Sequence, residues 1–301
     1  MRHAFLLLTT VGLLGGCVSL PGADEAPGPF LYCIEGNVPS HLFGTIHLPD
    51  ERVLDVPESV SGALDASDAL YTEVKMDDAT REELARLLAE AGSGKPLRER
   101  LPADLYARLD HYLAQRGMPI ALFDSQPVWS IGLTLALLDY LPELALGRPT
   151  LDESLVLRAE RNGAELGGLE LPEEQVAVFE SIDGAGQAEM LRDTLDQLEA
   201  PSVDGQRPLD LLVDAYLAGD EEGLLASVRE SVDPDSASSA ALFDRLLDQR
   251  SAHMAERIEA LVSTNPERRY FFAIGAAHLP GTRGIVSLLR ERGLRVERVR
   301  R

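Results

Sequence analysis

Two histidines follow a glycine at the same spacing, in Gly44-Thr45-Ile46-His47 and in Gly275-Ala276-Ala277-His278. Each group closes an apolar, strand-like run, so each imidazole is delivered where a strand ends. Gly44 and Gly275 permit tight turning and close backbone approach there. Open α/β sheets bind ligands outside the carboxyl ends of their strands. Two neutral imidazoles at such an edge, His47 and His278, are ligands for zinc, manganese, cobalt or iron. Two carboxylates share the setting: Glu73 follows Ala69-Leu70-Tyr71-Thr72, and Glu170 follows Leu166-Gly167-Gly168-Leu169. A carboxylate that closes an apolar strand needs a partner or takes up a proton. Beside two histidines, Glu73 and Glu170 offer hard oxygen ligands and a general base for hydrolysis. The alternative is that each caps a helix or pairs with an arginine.

Other signatures of chemistry are absent. The chain has no His-Glu-x-x-His, no Gly-x-Ser-x-Gly and no Gly-x-Gly-x-x-Gly. Gly92-Ser93-Gly94-Lys95 imitates a phosphate loop, but Ala89 replaces its leading glycine and Pro96 stands where a magnesium-binding hydroxyl belongs. It reads as a helix stop.

The elements that must position these residues follow from hydrophobic periodicity. Strands are expected at Phe30 to Glu35, His41 to Ile46, Ala69 to Val74, Ala164 to Leu169, Arg269 to Ile274 and Leu294 to Val299. Gly36-Asn37 marks a hairpin between the first two. Helical spacing covers Pro57 to Leu64, Arg81 to Ala91, Leu105 to Gln115, Val128 to Leu141 and Leu151 to Arg161. Further helices begin near Glu173, Glu189, Leu209, Glu221 and Ala240, the last running towards Ser263, and another spans Arg283 to Arg292. Strands therefore come from both ends of the chain, with one in the middle and helices between. This pattern predicts an α/β fold with a central β-sheet and a large helical insertion. Trp129, the sole tryptophan, follows Pro127 at a helix start and is expected to pack.

The first residues read as an address. Met1-Arg2-His3 precedes an apolar run, Ala4 to Leu14, that is about half the roughly 20 residues of a spanning helix. Residues 1–16 are thus a signal peptide, and Leu14-Gly15-Gly16-Cys17 resembles a bacterial lipoprotein box. That box implies cleavage before Cys17 and lipidation of its thiol, with residues 17–28 as a flexible tether and 29–301 as the folded domain. Cys33 then has no intrachain partner and is expected as a buried thiol. Acidic residues number 50 against 28 basic ones, a formal charge of −22. Such a surface repels nucleic acid phosphates, so nucleic acid is excluded as a partner. The partners expected are a membrane, through the acylated cysteine, and a peptide or protein substrate. Val18 after Cys17 is not the inner-membrane retention aspartate known in enteric bacteria, which points to the periplasmic side of the outer membrane in a bacterial cell envelope.

These residues also carry a resemblance. Leu42-Phe43-Gly44-Thr45-Ile46-His47, then Val53-Leu54 and Pro57, is similar to the opening motif of the TraB/GumN family, bacterial relatives of the Tiki metalloproteases. Ala69 to Val74 resembles the family's strand ending in glutamate. Leu151-Asp152 and Gly168-Leu169-Glu170 with Glu174-Gln175 resemble its middle. Ala273 to Gly281 and Gly284 to Leu289 resemble its closing motif. The resemblance implies the α/β fold of haem-binding ChaN-like and erythromycin-esterase-like proteins. It implies a metal-dependent hydrolase, a peptidase, with His47 and His278 as ligands of a divalent ion (manganese, cobalt or zinc) and Glu73 and Glu170 as catalytic residues. Arg250 would bind a substrate carboxylate. The family often shows Arg-Asn there, whereas this chain has Arg250-Ser251. The rival reading is a non-catalytic protein that captures a peptide or haem with the same histidines.

Overall fold

Six strands build one mixed sheet: β1 (Leu31–Ile34), β2 (Ser40–Thr45), β3 (Ala69–Val74), β4 (Glu165–Glu170), β5 (Tyr270–Gly275) and β6 (Val296–Arg298). The structure, a computed structural model, describes residues 29–92, 94–200, 208–230 and 243–300. Strand order is β4-β3-β5-β2-β1-β6. The first four of these are mutually parallel, whereas β1 runs antiparallel to both β2 and β6. A parallel sheet covered on both faces asks for continuous apolar strands, and Tyr270-Phe271-Phe272-Ala273-Ile274 is buried along its whole length. Register brings Thr45 opposite Gly275, Thr72 opposite Ala273 and Val74 opposite Glu170. The carboxyl ends of all four parallel strands therefore meet at one edge, as the glycine–histidine spacing predicts.

The helical bulk lies in the two long connections on either side of β4. One apolar core surrounds the sheet and includes Phe43, Leu70, Leu155, Met254, Phe272 and Leu289. A second gathers Leu105, Leu109, Phe123, Ile131, Leu191 and Leu195 among the inserted helices. The expected single helix from Val128 to Leu141 is instead helix Val128–Ala136, a tight turn at Leu138–Tyr140 and helix Leu141–Ala145. Pro142 explains the break, because proline cannot continue a helix and favours the first turn of a new one. The expected helix from Ala240 becomes a widened π turn, Asp244–Gln249, feeding helix Arg250–Thr264. Among the described residues no single helix is long and apolar enough to cross a membrane; Val128–Ala136 and Leu138–Ala145, bent by 50°, pass only as a pair.

Cys33 is buried in β1, as expected, but it is disulfide-bonded. The expectation of an unpaired thiol, which followed from reserving Cys17 for a lipid, is therefore not met. The signal peptide, the tether and Cys17 itself lie outside the described residues.

Gly44 is fixed by packing. A Cβ built there would stand 2.7 Å from Phe30 Cβ and 3.0 Å from Ala276 Cα, both on the rigid sheet edge. Gly62, inside helix Glu58–Asp65, has nothing within 4 Å of such an atom. Gly44→Ala is expected to lower stability by about 1–3 kcal/mol, whereas Gly62→Ala raises it by about 0.4–1 kcal/mol. Thermal melts of the two variants check this, and equal melting temperatures would show that the sheet edge yields.

Candidate functional site at the carboxyl edge of the sheet

Both histidines reach the same point, each steadied by a neighbour on its far ring nitrogen. His47 follows β2 by two residues, and its Nδ1 lies 2.8 Å from Asp152 Oδ2. Thr45 Oγ1 donates to the other carboxylate oxygen of Asp152 at 2.7 Å. Asp152 is buried in the first turn of helix Leu151–Arg161, which Thr150 and Glu153 start with reciprocal caps. The Asp152 charge at this distance holds the His47 pKa well above the ordinary imidazole value, although the His47 side chain is 59% exposed. His47 Nε2 turns towards Glu73 Oε1, 3.6 Å away.

His278 sits in the short turn Ala276–His278 after β5 and is 5% exposed. Its Nδ1 lies 2.9 Å from Ser251 Oγ. Burial pushes its pKa down to about 4, and the Glu73 charge offsets only part of that. The ring also donates to the Leu247 carbonyl, one turn before Ser251. The Ser251 hydroxyl can serve Nδ1 as donor or acceptor, and His278 Nε2 faces Glu73 Oε1 at 4.0 Å. The two histidines share a motif, yet their surroundings displace their pKa values in opposite directions.

Glu73 is the junction. Its Oε1 accepts from the Gly275 backbone N–H at 2.8 Å, and its Oε2 accepts from Arg250 Nη2 at 2.5 Å. Burial raises its pKa, but His47, His278 and Arg250 together outweigh that and hold it well below the usual carboxylate range. Gly275 is required by space: a Cβ there would lie 2.9 Å from Glu73 Oε1 and 3.4 Å from His47 Nε2. Glu170 stands further back. Arg250 Nε and Nη2 donate to its carboxylate at 3.0 and 2.5 Å, and Gln175 Nε2 donates at 3.2 Å.

The structure thus brings His47, His278, Glu73, Arg250, Gly44 and Gly275 to one place, with Glu170 behind Arg250. Asp152 and Ser251 were not singled out from the sequence as site residues. For Asp152 the available signal was an acid buried among the apolar positions of a capped helix start. Ser251 stands where asparagine was expected, and its hydroxyl meets the His278 ring. Among the described residues no group of three or more His, Cys, Asp or Glu side chains is arranged to hold a metal ion. Two imidazole Nε2 atoms face one carboxylate oxygen, and each Nδ1 is already engaged, as the far nitrogen of a ligating histidine is. Their separations of 3.6 and 4.0 Å are slightly wider than the roughly 3.3 Å between tetrahedral ligands held at about 2.0–2.1 Å.

Fold and site together define an α/β protein with a His–Glu–His cluster at the carboxyl edge of parallel strands. The chain belongs to the TraB/PrgY/gumN family, whose model matches residues 30–298. It is 29% identical over 301 residues to Metalloprotease TIKI2 of Danio rerio, covering 86% of this chain and 58% of that protein. It is 27% identical over 349 residues to Metalloprotease TIKI1 of Homo sapiens, covering 97% of this chain and 68% of the relative. A bacterial relative, the uncharacterized protein YbaP of Shigella flexneri, is 24% identical, with 85% of this chain and 90% of the relative covered. No solved structure matches the chain.

The buried His278 gives stability a pH signature. Its pKa of about 4 in the folded protein lies below the roughly 6.5 of an unfolded histidine. Between these values the unfolded chain binds a proton that the native protein refuses, so stability falls as pH drops from about 6.5 to 4. His47 acts with the opposite sign: its stabilisation is complete below about 6.5 and is lost as pH rises through its higher folded value. His278→Asn is expected to flatten the acid side of the unfolding free-energy profile, measured by denaturant titration at each pH, by about 3 kcal/mol at most, the carboxylate contributions being common to both proteins. Parallel profiles between pH 7 and 4.5 would show that His278 charges freely in the fold.

Proposed function

We propose that the chain is a metal-dependent hydrolase that cuts peptide bonds in the bacterial cell envelope. The observation that carries this reading is the convergence of His47 Nε2, His278 Nε2 and Glu73 Oε1. The names of the metalloprotease relatives support it. His47, His278 and Glu73 would hold the ion, and manganese, cobalt and zinc all suit two nitrogens and an oxygen. Bound there, the ion would polarise the substrate carbonyl and activate water. Asp152 orients His47 and Ser251 orients His278. The depressed pKa of Glu73 makes it a better ligand than base, so it is assigned to the ion. Glu170 and Gln175 steady Arg250, which holds Glu73. Arg250 Nη1, whose bond to the Leu246 carbonyl is long at 3.4 Å, is the donor for a substrate carboxylate.

Metal-stripped protein incubated with manganese, cobalt or zinc and desalted is expected to retain ion and to cleave peptides. The His47→Ala, His278→Ala double variant should lose both while remaining folded. Asp152→Asn should weaken metal affinity by about 10–100-fold, the usual effect of removing a partner that orients a ligand. Equal metal content in parent and double variant would overturn the assignment.

Anchoring through Cys17 belongs to the same proposal and rests on the lipoprotein box. The sequence has two cysteines, so acylation of Cys17 and an intrachain bond to Cys33 exclude each other. Metabolic labelling with a fatty acid should mark the chain, and Cys17→Ser should abolish the label; an unlabelled chain with no free thiol would remove the anchor.

A further inference from the structure

A cavity of about 570 Å³ opens onto His47, Glu73, Arg250 and His278. It falls within the roughly 300–1,000 Å³ of ligand pockets and exceeds what one side chain fills. Its floor is polar, but its walls are not. Trp129 and Leu133 come from helix Val128–Ala136, Phe179 and Met190 from the following helices, and Leu212 and Leu246 from the opposite side. The Trp129 and Phe179 rings stack face to face, 4.5 Å apart at 13°, so the aromatic shelf they offer is the outer surface of that pair, with Trp129 itself 7% exposed. Leu133, a cavity-lining residue, is 50% exposed although the sheet core lies nearby. Of the nine large apolar side chains that are exposed among the described residues, Leu133 is the one that lines this cavity. Charge restricts the occupant further. Glu189 also lines the cavity, and the chain carries a formal charge of −22, so acidic ligands are repelled on approach.

We infer that the cavity selects substrate: it takes a non-acidic peptide segment with a bulky apolar or aromatic side chain next to the bond presented to His47 and His278. This rests on the hydrolase reading for the bond that is cut, but not for the binding itself. Burying one such side chain favours association by about 10–100-fold over glycine. Leu133 and the Trp129–Phe179 shelf act here as specificity residues. They touch the substrate side chain and leave the metal ligands alone.

Trp129 is the chain's sole tryptophan and lines the cavity, so its emission reports occupancy whether or not turnover follows. The metal-loaded protein is titrated with end-blocked pentapeptides that differ at one central position, Phe or Leu against Gly or Asp. Emission, cleavage and metal content are followed together. The Phe and Leu peptides should shift the emission and bind about tenfold or more tightly than the others. Leu133→Asp should remove that preference with metal content unchanged, and the milder Leu133→Ala should reduce it. Apolar preference in binding without cleavage would sustain the cavity assignment and defeat the peptidase reading. Cleavage with no preference, or a preference for Gly or Asp, would do the reverse. Dodecanoate binding more tightly than every peptide would overturn the inference in favour of an acyl chain, and an emission unmoved by any peptide would also overturn it.

Discussion

The guanidinium of Arg250 lies between two carboxylates, 2.5 Å from an oxygen of each, and the edge of the sheet depends on it. Glu73 and Glu170 end adjacent parallel strands, and neither carboxylate is free in water. Without a cation between them they would repel each other, and one would take up a proton. Removing one partner from such a buried cluster typically costs about 3–5 kcal/mol, because a charge is left behind uncompensated. Arg250 also opens the helix whose next residue, Ser251, meets His278. One helix start therefore fastens the ends of β3, β4 and β5, and the π turn before it sets the angle of entry. Widened turns of this kind recur at functional sites.

Sheet order makes that fastening a late event. The strand carrying the second glycine–histidine group comes near the end of the chain yet lies between β2 and β3. The site is complete only when residues more than 200 positions apart are in register, as the Thr45–Gly275 pairing shows. Contacts of such long range are slow to form, so this chemistry is absent from any partly folded chain. Tyr216 adds a further tie: its hydroxyl donates to the Gly44 carbonyl at 2.8 Å. It links a helix of the second long connection to the end of β2.

The sheet was legible because its strands are short apolar runs closed by turn residues, and their order along the chain identified an α/β fold. The shared Gly-x-x-His spacing revealed two of the site's arms, and the strand-ending glutamates revealed the third. Spacing could not show which glutamate faces the imidazoles, because Glu73 and Glu170 look alike until the register puts one against Gly275. Asp152 was hidden for a related reason: an acid at the second position of a helix normally answers the helix dipole, and only the fold turns it onto His47. The cavity was illegible as well. Its walls come from segments far apart in sequence, and Trp129, expected to pack, both packs on Phe179 and faces the opening. Pro142 did carry its own signal, and weighing it above the apolar periodicity would have broken the helix in the right place.

The unlike surroundings of the two histidines, Asp152 beside one and burial around the other, bear on how the cluster's charge is balanced. Three carboxylates, those of Asp152, Glu73 and Glu170, face one guanidinium and the His47 imidazolium, leaving one formal negative charge uncompensated. A divalent ion in place of the His47 proton would make the cluster neutral. Burial holds the His278 pKa down, to about 4. A purely structural cluster would gain more from a second permanent cation such as arginine than from an imidazole with an open lone pair. The two pKa displacements, one up and one down, follow from Asp152 beside His47 and from the burial of His278; the negative charge left over is what the proposed ion would offset.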